Sequence, residues 1–159
     1  MQKIGAAVLA VALLAACGQS ARQSLDSARK SLAETAYPEA IAAADAGLAR
    51  KPDAITSWGL ELVKLEALAR SGRGDETIAQ LDKLTAGWPD NMLADQFAAT
   101  ADQLRAAGQG AAAIQALDLG LKRFPQDPAL LAQIERAKQA PAPGSDELKM
   151  LETLGYIDK

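Results

Sequence analysis

Apolar side chains return every third or fourth residue along most of this chain, with polar residues filling the intervals. Leu25, Ala28 and Leu32 form one such stripe, and Ile55, Trp58, Leu62, Leu65 and Leu68 form a longer one. Ile78, Leu81 and Leu84 continue the pattern; Leu131, Ile134 and Ala137 repeat it, and Leu148, Leu151 and Leu154 close it. Spacings of three and four place such residues on one face of a helix. The pattern predicts amphipathic helices throughout and negligible strand. Pro38 suits a first helical turn, where its missing N–H is no loss. Gly72, Gly74, Gly108 and Gly110 fall where helical hairpins must reverse. Asp53, Asp90 and Asp127 are placed to cap the helices that follow, and Ser20 or Ser24 the first one.

The helices recur as a unit. Ala40-Ile41, Thr77-Ile78 and Ala113-Ile114 open three similar stretches, which run to Pro52, Pro89 and Pro125. The isoleucines and the prolines share one spacing, 37 and then 36 residues. A period of this size marks a stacked array of helical hairpins. The expected fold is all-α: about three hairpins over residues 24–138, closed by a capping helix from Pro128. Gln133, Glu135, Arg136 and Lys138 would give that helix a polar outer face. Residues 139–145 read as a Pro/Ala linker, and 146–159 as a short amphipathic helix with Gly155 as a left-handed cap. An isolated helix this short is marginal in water. The tail is therefore expected to dock, on the last hairpins or on a partner. Proximity in the chain favours the hairpins.

These hairpins resemble the tetratricopeptide repeat, a unit of about 34 residues. Tyr37, Ala40, Leu48 and Pro52 match its turn tyrosine, second-helix alanine, later leucine and terminal proline. Trp58, Gly72 and Pro89 match in the second unit, and Phe97, Gly108, Ala113, Leu121 and Pro125 in the third. The leucine–glycine pair of the family's first helix is missing, and Gly74 and Gly110 replace two turn tyrosines. The resemblance spans residues 20 to 138. It implies that the first helix of each hairpin lines a concave binding face. On that pattern the candidate partner-binding residues are Arg22, Arg29, Leu60, Val63, Glu66, Asp102 and Arg105. A family subtype that clamps a peptide carboxylate with Asn and Lys fits poorly, since Asn91 is the sole asparagine.

The amphipathic pattern fails in one place. Ile4 to Ala16 carries no polar side chain and follows the single charge of Lys3. Thirteen apolar residues are too few to span a bilayer, which takes about 20. The run suits the h-region of a secretory signal over residues 1–16, or else a buried core helix; its place before a cysteine favours the signal. Leu14-Ala15-Ala16-Cys17 resembles the bacterial lipobox. That resemblance implies cleavage before Cys17 and lipidation of its thiol, with residues 17–23 as a tether. Cys17 is the only cysteine, so no internal disulfide can form. Gly18 in place of Asp implies sorting to the outer membrane; inner-membrane retention and periplasmic secretion are the alternatives.

Composition narrows the chemistry further. The chain has no histidine, 4% aromatic residues and a net charge of −3, or −4 without Lys3. Nothing basic is clustered, which argues against nucleic acid. Without imidazole the usual nucleophile–base arrangements cannot be built, and zinc sites favour His and Cys. We therefore expect no enzyme, no cofactor, no metal and no small-molecule substrate. The expected function is an outer-membrane lipoprotein whose array holds a periplasmic protein or peptide as an adaptor or scaffold. The alternative is a pilotin-like or structural factor of an envelope secretion, pilus or polysaccharide-export machine.

Overall fold

A computed structural model describes residues 20–139 and 141–158. The proposed signal at 1–16, Cys17 and Gly18 lie outside these residues. The described residues form eight helices and no strand: α1 (Ala21–Ala33), α2 (Tyr37–Leu48), α3 (Ala54–Arg70), α4 (Gly74–Gly87), α5 (Ala94–Ala106), α6 (Gly110–Arg123), α7 (Pro128–Gln139) and α8 (Asp146–Thr153). The protein is an all-α array of helical hairpins. One layer stacks α1 on α3, α3 on α5 and α5 on α7. Opposite it, α4 packs on α6 and α6 on α8, while α2 wedges against α1 and α3.

The hairpins turn at equivalent positions. Thr35, Gly72, Gly108 and Gly144 all have positive φ, at +58°, +74°, +77° and +76°. They lie 37, 36 and 36 residues apart. After α3 the Arg73 N–H donates to the Leu68 carbonyl at 3.0 Å and the Gly72 N–H to the Ala69 carbonyl at 3.1 Å. The same pair of bonds follows α1, from Ala36 to Ser31 and Thr35 to Leu32, and α5, from Gln109 to Leu104 and Gly108 to Arg105. This closure satisfies the last carbonyls of a helix and requires a left-handed residue. Gly155 ends α8 in the same way, as expected.

Side-chain caps begin four helices. Ser20 accepts from the Gln23 N–H, Asp53 from Thr56, Asp127 from Ala129 and Leu130, and Ser145 from Leu148. Two bonds from Thr56, backbone and hydroxyl, also hold the Asp53 carboxyl below its usual pKa. Asp90 caps nothing, contrary to expectation. The chain makes a turn from Trp88 to Met92, and α5 starts only after Leu93, whose N–H donates to Gln96 Oε1 at 2.7 Å. Helix α1 begins at Ala21, so residues 20–23 belong to the array and not to the tether.

Two apolar clusters make up the core. Leu25, Ala28, Leu32, Ile41 and Ala44 pack with Leu60, Val63, Ala67 and Leu68 of α3. On its other flank α3 gives Leu65 and Ala69 to a larger cluster around Phe97, Leu104, Ile114, Leu117 and Leu130. Burial on both flanks corrects the single stripe expected for this helix: Ile55 is 85% exposed, and Leu62 is only half-buried. Gly74 and Gly110 are first residues of α4 and α6, not turn residues. A Cβ on Gly74 would meet Ala112 Cβ at 3.0 Å, so glycine there permits close packing of α4 on α6.

The tail docks on its own array. Leu151 is fully buried against α6, with Met150, Leu154, Tyr156 and Ile157 around it. Helix α8 starts 36 residues after α6, and α6 starts 36 after α4. The segment expected to dock as a short separate helix thus takes the second-helix place of a fourth unit. Helix α7 is that unit's first helix, so it does not close the array alone.

Candidate functional site

Helices α3 and α5 run side by side in one layer, and a shallow groove of about 150 Å³ lies along their contact. Its walls are Leu62 and Glu66 from α3 and Gln96, Ala99 and Gln103 from α5; Leu65 and Thr100 form the floor. The floor residues are buried. The Thr100 hydroxyl turns inward and donates to the Gln96 carbonyl at 2.7 Å. That bond satisfies the hydroxyl within the helix and leaves the floor mainly apolar. The Glu66 carboxylate accepts from Arg70 Nη1 at 3.1 Å one turn away. Gln96 Oε1 is committed to the start of α5, so Gln103 supplies the freer amide on this wall. Such a surface can take an apolar side chain on Leu65 and Ala99 and hydrogen-bond a backbone at its rim. It holds no arrangement of nucleophile and base.

The sequence-predicted site residues separate into three groups. Leu60 and Val63 are buried in the first cluster, at 0% and 7% exposure, so they cannot line a binding face. Leu60 packs under Gly47, where a Cβ would come within 2.8 Å of its methyl group. Arg22 and Arg29 are exposed on α1, apart from the α3–α5 groove. Asp102 accepts from Gln133 Nε2 at 3.1 Å, and Arg105 Nε lies 3.8 Å from Glu147 Oε1. These two tie α5 to α7 and α8, beside a cleft of about 260 Å³ lined by Arg105, Arg136, Ala137 and Glu147. Glu66 alone of the seven lines the groove.

Sequence reasoning missed Leu62, Gln96, Ala99 and Gln103. A signal for two of them was present: Leu62 and Glu66 recur 37 residues later as Ala99 and Gln103. Assigning Leu62 to the core hid it. Near the groove, Glu61 is buried between α3 and α4, where its carboxylate accepts from Lys83 Nζ at 2.6 Å and from Gln80 Nε2. Its partners make it a structural clasp.

Among the described residues no group of His, Cys, Asp and Glu could hold a metal ion, and no helix is long and apolar enough to cross a membrane. No protein-family model matches the chain, and neither a curated protein nor a solved structure does.

Proposed function

We propose that this protein is a non-catalytic binding module of the tetratricopeptide kind, held by lipid on Cys17 at the periplasmic face of the outer membrane. Its client is a protein or peptide segment laid along α3 and α5. The observation that carries the binding reading is the groove itself. An apolar floor at Leu65 meets polar walls at Glu66 and Gln103, and both helices are anchored in the larger core cluster. Concave sites of this mixed character favour ligands that bury a side chain while keeping backbone hydrogen bonds. The anchoring part rests on Leu14-Ala15-Ala16-Cys17 alone.

A photo-crosslinking amino acid placed at Ala99, in the groove, tests the reading in intact cells. Ala79, exposed on α4, is the control position. A discrete adduct from Ala99 and none from Ala79 is expected. Equal adducts from both positions, or none from Ala99, would overturn the groove as a client site.

A further inference from the structure

The described residues expose three large apolar side chains: Ile55 at 85%, Leu93 at 55% and Leu131 at 43%. They are not scattered. Ile55 is the second residue of α3, Leu93 immediately precedes α5, and Leu131 lies in the first turn of α7. The chain reverses at every connection, so α1, α3, α5 and α7 run parallel and their N-terminal ends share one edge of the array. Ser20, which caps α1, stands on that edge too. Arg22 of α1 acts electrostatically on Asp53, the cap of α3, as neighbours on one edge do.

We infer that this edge lies against the membrane surface, with Ile55 and Leu93 inserted among the lipid headgroups and upper acyl chains. The inference rests on the lipidation of Cys17 proposed above. Only three residue steps separate Cys17 from Ser20, and an extended chain spans at most about 3.6 Å per residue. The acylated residue therefore holds the α1 end of this edge within roughly 11 Å of the lipid. A tether this short gives the exposed apolar side chains a high effective concentration at the bilayer. Charge neither drives nor blocks the contact. Arg50 and Lys51 share the first inter-hairpin turn with Asp53, and Lys122 and Arg123 share the third with Asp127; the second carries Asp90 and Asp95 around Leu93, and Arg123 reaches it by donating to the Pro89 carbonyl. Contact is therefore apolar and insensitive to salt, unlike binding through a basic patch. In this orientation the array's length lies along the bilayer, and the α3–α5 groove runs from the membrane edge outward.

The protein carries its own probes. Trp58 lies one turn into α3 and Trp88 at the end of α4, both near this edge, with ring centroids 5.7 Å apart. The full-length acylated protein is placed in vesicles of phosphatidylethanolamine and phosphatidylglycerol, with or without bromine high on the acyl chains, which quenches nearby tryptophan. Quenching that persists at high salt is expected, and the variant Ile55→Asp with Leu93→Asp should lose it while staying vesicle-bound. Both side chains are exposed, so the variant should melt like the wild type. Unquenched emission from protein whose Cys17 carries the acyl mass overturns the edge contact and leaves the anchor standing. Equal quenching of variant and wild type also overturns it. Absence of the acyl mass overturns the anchor, and the edge contact falls with it.

Discussion

The hydroxyl of Tyr156 donates to Asp118 Oδ1 at 3.0 Å, joining the end of the chain to the middle of α6. Asp118 also accepts from Lys122 Nζ at 2.8 Å, an interaction that raises the Lys122 pKa. Partial burial, and then the bond to Asp118, push the Tyr156 hydroxyl up to about 12. The folded protein thus keeps a proton that the unfolded chain releases near pH 10. This contribution to tail docking is whole below pH 10 and is lost as pH rises through about 12. Tyr156→Phe should melt lower than wild type at pH 8, and the gap should narrow above pH 10 and close near pH 12. A constant gap across that range would show that the hydroxyl does not hold the tail.

Leu151 fills the centre of the α6–α8 contact at 0% exposure. Leu151→Ala should cost about 2–5 kcal/mol of tail docking. Deleting residues 145–159 should lower the melting temperature of the whole array, because it uncovers α6. An unchanged melting curve on truncation would mean that the tail is not part of the folded unit.

Thr35 occupies the left-handed position that glycine holds at 72, 108 and 144. A β-branched residue there bears strain of about 1–2 kcal/mol, partly offset by the lower entropy of its unfolded chain. Thr35→Gly should therefore stabilise the protein by about 0.5–1 kcal/mol. Gly108→Ala should cost about 1 kcal/mol purely from the backbone, since nothing lies within 4 Å of the added methyl. Chemical denaturation of both variants checks the signs.

Gly120 is a different kind of glycine. A Cβ there would come within 2.9 Å of Phe97 Cβ, an atom too near the backbone to rotate away. Gly120→Ala should cost about 1–3 kcal/mol by pushing α6 off α5. If it melts like the wild type, the close approach of these helices is not needed.

Glu61 is buried with Gln80 and paired to Lys83, whose side chain is 57% exposed. Glu61→Ala would leave the Gln80 amide buried without its side-chain acceptor, a penalty of about 1–3 kcal/mol. Lys83→Ala should cost less, because solvent can replace much of what it gives. Urea titrations of the two single variants and the double variant would separate the pair from its surroundings.

Cys17→Ser should abolish lipid labelling and leave either uncleaved precursor or a soluble product. Equal fatty-acid incorporation in the variant would remove the basis for anchoring.

The helical character and its period were legible in the sequence because both are local. Stripes at three and four residues specify helices, and the spacing of Ile41, Ile78 and Ile114 specifies the hairpin unit. Capping by Asp53 and Asp127 and closure by Gly72, Gly108 and Gly155 followed from short-range hydrogen bonding. Which face of α3 is buried did not follow, because that helix has neighbours on both flanks. A one-stripe reading placed Ile55 inside and the repeat resemblance placed Leu60 and Val63 at a groove, whereas tertiary packing reverses all three. Nor could periodicity show that Pro141 and Pro143 precede a helix with a fixed seat. The seat exists because α6 presents Asp118 and an apolar face one period before the tail arrives. The sequence by itself determined the helices, their turns and their repeat, all set by interactions within a few residues. Only the tertiary structure decided the groove, the exposed edge and the docking of α8, because each depends on side chains that meet from different helices.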